Sequence, residues 1–187
     1  MTYVAFVAAA AGGGGTVTTG FTKGNTAQDF SQSGNLDKFN SALGTLVSAT
    51  LRLTLHYSMT GTVTLSPGGS PPYDVLLAEF CELSATSSLS ALNAILTAAP
   101  PLISDYVLTP TFAIDAGNSP HTFATVSSAP FVDIDLTSIV ASLTGSGTFS
   151  VSAGSFSSLG LSGGDGYVGA SASESGGFDA LLTYTYT

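Results

Sequence analysis

Two glycine-rich motifs near the C-terminus have spacings that could support chemistry. Residues 160–164, GLSGG, match the G-x-S-x-G pattern, in which Ser162 would be a nucleophile on a strand-to-helix turn with a histidine later in the chain. Both histidines come earlier, and no helical pattern follows. Residues 164–169 match G-x-G-x-x-G, but Asp165 would repel a pyrophosphate there. The sequence therefore favours a glycine-rich loop over a hydrolase or a dinucleotide site.

Metal-ligand spacings are also missing from the sequence. The two histidines are 65 residues apart and form no H-x-x-x-H pair, so a zinc site is unsupported. Asp133 and Asp135 share one face of a predicted strand, where they could contribute to a calcium site together with Asp115 or Asn118. The D-x-D-x-D-G loop is absent, so solvated carboxylates are the favoured interpretation. We expect no metal and no cofactor.

The segment around the single cysteine offers a possible acid/base pair. Glu79 and Glu82 would act as one only if the fold drew them into a cleft, and solvated carboxylates are again the favoured interpretation. Cys81 lies in an apolar run and is predicted to be a small buried hydrophobe rather than a nucleophile. A single cysteine also excludes an intrachain disulfide.

Composition restricts the class of protein and its partners. Of the 187 residues 44% are hydrophobic, enough for a core, and only 8% are charged. The three basic residues, Lys23, Lys38 and Arg52, all lie in the first third, and the net charge is −9. Such a chain would repel phosphate backbones, which excludes nucleic acid as a partner. No apolar run approaches the ~18 residues of a membrane-spanning helix.

Hydrophobic periodicity predicts an all-β fold. Across residues 47–65 every odd position is apolar or glycine and every even position is polar, which places the apolar side chains on one face of a strand. Because this stretch is longer than a usual strand, a bend near Gly61 and two strands are predicted. Similar alternation recurs at residues 132–136, 149–153 and 180–187.

Turns and one helix complete the predicted architecture. Stretches rich in glycine, proline and serine predict turns or loops at residues 67–72, 116–120 and 154–177. One short helix is predicted between the possible caps Ser87 and Ser88 and the prolines that begin at Pro100. Its apolar residues have helical spacing and are Leu89, Leu92, Ile95 and Leu96. We predict a jelly-roll-like antiparallel β-sandwich with one short helix, in a single domain covering residues 16–187.

Two segments of the chain carry a family resemblance. Residues 35–53, NLDKFNSALGTLVSATLRL, combine Lys-Phe, a short spacer and Leu-Gly-Thr-Leu before an alternating strand. A glycine-rich strand start at 145–149 and a Tyr-Thr-Tyr-Thr ending at 184–187 follow. These features resemble the choice-of-anchor E domain family of bacterial surface proteins, which occur in a PEP-CTERM-type sorting context. The resemblance implies an exported surface or matrix β-sandwich without a known catalytic centre, and it supplies no functional residues.

The N-terminal segment, residues 1–15, suggests self-assembly. Residues 3–11 are apolar on both faces of a strand, and four glycines follow as a possible hinge. The strand either opens its own sandwich or leaves to complete a neighbour's sheet, and repeated head-to-tail donation would build a filament. The residues assigned to self-assembly are Tyr3, Val4, Phe6, Val7, Gly12, Gly13, Gly14 and Gly15.

The sequence therefore predicts a structural, non-enzymatic extracellular or cell-surface protein. Its most specific form is a pilus-like filament subunit in a biofilm matrix, with other copies of itself as partners. A carbohydrate-binding module is the alternative, with glycans as possible partners. Three tyrosines in or near loops, Tyr73, Tyr106 and Tyr167, could then contact sugar, although the chain has no tryptophan.

Overall fold

Two antiparallel sheets pack face to face, as the alternating pattern predicted. The computed structural model describes residues 6–7, 13–27, 29–69 and 71–187. The strands are β1 Phe6–Val7, β2 Gly15–Thr22, β3 Thr26–Ala27, β4 Ser31–Asp37, β5 Leu46–Leu65, β6 Tyr73–Ser87, β7 Ile103–Leu108, β8 Phe112–Ile114, β9 His121–Ser128, β10 Phe131–Asp135, β11 Thr148–Ser162 and β12 Val168–Tyr186. The helices are α1 Ser90–Leu96 and α2 Val140–Leu143, with 3₁₀ turns at Ser41–Leu43 and Thr137–Ile139.

The strand order separates the chain into two layers. The first sheet has the order β1-β2-β12-β5-β10, with β3 also paired to β12 and β9 to β5. The second has the order β4-β11-β6-β7, with β8 also paired to β6. The β-sandwich prediction is confirmed, while this order does not establish the jelly-roll form.

Strand β5 is one continuous element, so the prediction of two strands was wrong. It pairs with β12 without a break from Leu65 to Ser48, passing through Gly61. An irregularity does occur near Gly61, but in the pairing of β5 with its other neighbour, β9. The register between these two strands shifts between Met59 and Gly61. A glycine is required because a Cβ at residue 61 would collide with the backbone of Ser171 on β12. Close strand approach, rather than a chain reversal, explains this glycine.

The predicted loop at residues 154–177 was also wrong. Most of it is strand, because β11 continues to Ser162 and β12 begins at Val168. Only the short connection between them turns, and its residues Gly163, Gly164, Asp165 and Gly166 have positive φ angles. Small side chains in the strands make room for large neighbours: a Cβ at Gly176 would come 3.1 Å from the ring of Phe30.

The inward face of β5 supplies the centre of the core. Leu51, Leu53 and Leu55 are fully buried, as the odd-numbered pattern predicted. Val47 departs from it and is 49% exposed, whereas Leu46 is buried. The register with β12 shifts between Thr185 and Tyr186, which changes the inward phase at this end of β5.

Helix α1 covers part of this core and confirms the predicted helix. Leu92 and Leu96 are its buried residues. Leu89 is the N-cap and makes no side-chain cap bond; its backbone N–H instead donates to Ser87 Oγ at 3.1 Å. Within the described ranges, no helix is long and apolar enough to cross a membrane.

Candidate functional site

The N-terminal segment lies beside the edge of the first sheet where it is described. Phe6 is paired with Thr18 and Val7 with Val17, both antiparallel on β2. Among the predicted self-assembly residues, Tyr3, Val4 and Gly12 fall outside the described ranges. The structure thus shows a strand formed by residues 6–7 on the outer side of β2, at one end of its sheet.

Gly14, just before β2, and Gly15, its first residue, pack against the end of β12. A Cβ at Gly15 would come 2.8 Å from the hydroxyl of Tyr186, and one at Gly14 would collide with the Tyr186 carbonyl. Gly13 has open space around it. Two of these glycines are therefore needed for close packing, a requirement that the interpretation as a hinge did not include.

A cavity of about 250 Å³ adjoins β2 on the same side of the molecule. It has apolar and polar walls formed by Val17, Thr18, Thr19, Asp37, Lys38, Phe39, Asn40, Leu43 and Tyr184. Val17 is half-buried and packs against the main core. Leu43 is 38% exposed, so apolar surface remains accessible here.

A buried carboxylate lies between the two sheets, and its burial overturns the interpretation of Glu79 as solvated. Glu79 has no exposed surface. The Tyr57 hydroxyl oxygen lies 3.1 Å from Glu79 Oε1 and 3.2 Å from Glu174 Oε2. Burial raises the pKa of Glu79 to about 7, and the negative charge of Glu174 adds to this rise. Burial likewise raises the pKa of the Tyr57 hydroxyl.

The strand pattern contains a signal that would have located Glu79. Val75, Leu77, Cys81 and Leu83 are all fully buried, and Glu79 occupies the same phase of β6. A residue in that phase must point between the sheets whatever its polarity. Cys81 is buried as predicted, and burial raises the pKa of its thiol to about 11.

The other acidic candidates lie at the surface and are held by local contacts. Asp133 accepts two hydrogen bonds of 2.7 Å from Arg52, and Asp135 accepts from Thr137. Both aspartates are exposed, as predicted. Glu82 lies 3.5 Å from a serine hydroxyl on β7.

The proposed calcium ligands do not meet in the described part of the chain. Asp115 and Asn118 bond to one another's backbone within the turn that joins β8 to β9. No cluster of three or more histidine, cysteine, aspartate or glutamate side chains with metal-binding geometry occurs in the described ranges.

A histidine and an aspartate that are distant in sequence form a pair on the first sheet. His56 Nε2 lies 2.7 Å from Asp179 Oδ2, at an open pocket of about 410 Å³ that also contains Ser127 and Ser128. The Ser128 hydroxyl donates to Asp105 at 2.7 Å. Sequence reasoning missed the pair because only the pairing of β5 with β12 brings the two side chains together.

The glycine-rich motifs lie where two strands meet. Ser162 is the last residue of β11, and the chain then turns and begins another strand at Val168. The helix that a nucleophile elbow or a phosphate-binding loop requires does not follow either motif. The prediction that no helix opens here is confirmed.

An apolar strip with exposed aromatic side chains crosses the outer face of the second sheet. Tyr106 is 59% exposed and Phe156 is 55% exposed, and Leu108 is exposed beside them. Phe80 on β6 lies directly opposite Tyr106 on β7, with 5.0 Å between ring centroids. We call these four residues the aromatic strip. Tyr106 is one of the three tyrosines proposed to contact sugar.

The other two tyrosines meet at one end of the sandwich. Tyr73 and Tyr167 stack nearly parallel, with ring centroids 6.4 Å apart. Tyr167 is 42% exposed. Tyr73 is the first residue of β6, and Tyr167 directly precedes β12.

Comparisons with known proteins give no family. No family model matches the sequence, and no curated protein matches it. Among solved structures, the chain is similar to a chain of the structure of infectious bursal disease virus Gx strain, with 13% identity and a TM-score of 0.29. The match covers 91% of this chain and 36% of the viral chain. The resemblance to the choice-of-anchor E family stays a prediction.

Proposed function

We propose that the protein is a structural, non-enzymatic subunit of an extracellular or cell-surface filament. One observation carries the proposal: residues 6–7 pair with β2 of their own chain as a separate two-residue edge strand, a contact that donation would transfer to a neighbouring copy. In the assembly the donated segment pairs with β2 of a neighbouring copy. The filament would belong to a surface or biofilm-matrix structure, consistent with the resemblance to surface proteins.

The pairing on β2 can be made within one chain or between two. Strand exchange uses the same backbone hydrogen bonds in either arrangement, so little interaction energy separates them. Each copy gives one segment and receives another at a different surface, and such head-to-tail contacts build an open assembly when the rotation between copies does not close a ring. Repetition of this contact produces a filament.

The cavity beside β2 supports the N-terminal segment of a neighbouring copy as the strand that pairs there. Of its wall residues, Val17 lies on the strand that would receive the segment, and Tyr184 lies opposite it on β12. Residues 3–11 supply apolar side chains on both faces of a strand. Backbone pairing would then provide affinity, and the cavity would select an apolar side chain.

The surface charge sets the conditions for assembly. A net charge of −9 makes copies repel one another at low ionic strength. The Debye length shortens to about 8 Å at physiological salt, so this repulsion is then largely screened. Filaments should form more readily at physiological salt than in dilute buffer.

Light scattering and negative-stain microscopy of the full chain test the proposal. Deletion of residues 1–11 should stop polymerisation, and a peptide of that sequence should bind the shortened chain. Phe6→Asp should act like the deletion, because it places a charge in the donated strand. Val47→Asp is the matched control, since Val47 is an exposed apolar residue on another strand. A monodisperse species of 18.7 kDa at all concentrations and salt conditions would contradict the proposal.

Carbohydrate binding is a second candidate function, favoured by the aromatic strip. Tyr106 and Phe80 present neighbouring rings on an exposed sheet face, and Tyr106 also has a hydroxyl group for hydrogen bonding. A glycan array should then show binding that Tyr106→Ala removes and Tyr167→Ala leaves intact. Absence of binding by the unmodified protein would exclude this function for the glycans on the array.

A further inference from the structure

Two carboxyl groups from opposite sheets, one fully buried and one half-buried, meet at one buried hydroxyl group. Glu79 comes from β6 of the second sheet, whereas Glu174 and Tyr57 come from β12 and β5 of the first. The Tyr57 hydroxyl lies 3.1 Å from one carboxyl and 3.2 Å from the other. It has a single proton, so it can donate to only one of them at a time.

The second oxygen of Glu79 indicates that this group binds a proton. Glu79 is fully buried, and its Oε2 atom has no hydrogen-bond partner among the described residues. An ionised carboxylate with a buried unpaired oxygen carries a large desolvation cost. Protonation removes this charge and also the repulsion from Glu174.

We propose that Glu79 and Glu174 hold one proton between them and act as a proton-operated latch between the two sheets. With the proton bound, the two carboxyl groups and Tyr57 together carry a single negative charge. Their contacts join β6 to β5 and β12. When the proton leaves, two carboxylates repel each other across the interior. The sheets are then less stable against separation at this point.

Among the residues that the structure describes, no ion pair gives Glu79 or Glu174 a compensating positive charge. The groups near Glu79 are acidic or neutral: Tyr57 from β5, Glu174 from β12, Ser157 from β11, Cys81 on β6 and, opposite Cys81, Asp105 from β7. Ser157 in turn donates hydrogen bonds from its backbone N–H and its hydroxyl group to the side chain of Asp29. The ion pairs found in the described ranges, Arg52–Asp133 and His56–Asp179, include neither glutamate.

The direction of the pH effect follows from proton linkage. The pKa of a glutamate in the unfolded chain is about 4.3, and that of Glu79 in the folded protein is about 7. Between these values the folded protein holds a proton that the unfolded chain has lost. The equilibrium constant for unfolding therefore rises with pH, by up to about tenfold per pH unit, and levels off above pH 7.

Urea unfolding of the full chain between pH 4.5 and 8 tests the latch. Glu79→Gln keeps the shape of the protonated side chain without its titration, so this variant should lose most of the rise. At pH 8 its unfolding constant should be more than about tenfold lower than that of the unmodified protein. Glu82→Gln is the matched control, because it makes the same change on the outward face of β6; it should keep the full rise.

A second measurement removes any dependence on how the variants fold. Carboxyl ¹³C chemical shifts of the unmodified protein should show that Glu79 titrates near pH 7. Titration of Glu79 near the ordinary value of about 4.3, or an unchanged pH slope in folded Glu79→Gln, would overturn the proposal. Stabilisation by added calcium at pH 8 that Glu79→Gln removes would also overturn it, since the pair would then be a cation site.

Discussion

Phe21 of the first sheet packs directly over Gly34 of the second. A Cβ atom at residue 34 would lie 2.5 Å from Cγ of the Phe21 ring. The ring also packs edge-on against Phe178, with centroids 5.3 Å apart, so it cannot move aside freely. The missing side chain at Gly34 thus sets the distance between β2 and β4 at this edge of the sandwich.

Gly34→Ala should therefore destabilise the protein by about 1–3 kcal/mol, the usual cost of overpacking a core. Urea denaturation at fixed pH measures the change in the free energy of unfolding. Gly160→Ala on β11 is the matched control, because its Cβ would meet only an ordinary contact of 3.5 Å with the carbonyl of Ala78. Equal destabilisation by the two substitutions would contradict this account of Phe21 packing.

The two faces of β5 should respond in opposite ways to a new charge. Leu53→Asp places an unpaired carboxylate in the centre of the core and should prevent folding, since the cost is comparable with a domain's whole stability of about 5–15 kcal/mol. Thr64→Asp adds the same group at an exposed position of the same strand and should be tolerated. Circular dichroism melting curves measure both effects. A folded Leu53→Asp variant with an unchanged melting temperature would show that the faces are wrongly assigned.

The inward face of β5 was predictable because long strands with one buried side have a strict period of two. Leu51, Leu53 and Leu55 follow that period and are all fully buried. The end of the strand was less predictable. Val47 leaves the pattern where the register with β12 shifts, and such a shift depends on two strands that are far apart in sequence.

Composition misled the prediction where small residues serve packing rather than turning. Residue 176 lies in β12 and is a glycine where the ring of Phe30 occupies the space that a side chain would need. Nothing near residue 176 in the sequence identifies that ring. The contact between Glu79 and Glu174 likewise depends on residues that are distant in sequence. The phase of β6 indicates that Glu79 points inward, but its meeting with Tyr57 and Glu174 depends on how the two sheets face each other.

The thiol of Cys81 should be unreactive in the folded protein. Cys81 is fully buried and donates to the backbone carbonyl of Asp105 at 3.4 Å. Burial raises the pKa of the thiol to about 11, and the carboxylates of Asp105 and Glu79 contribute to the rise. Because the thiolate is the reactive species, only about one molecule in a thousand would carry it at pH 8.

A disulfide reagent at pH 8 should consequently label Cys81 at the rate at which the protein opens, and labelling in denaturant should be immediate and complete. Ser84→Cys in a Cys81→Ala background is the matched control, since residue 84 lies on the same strand but is exposed. That variant should react at the rate of a free thiol without denaturant. Rapid labelling of the unmodified native protein would show that Cys81 is accessible, and the packing of β6 against the first sheet would need revision.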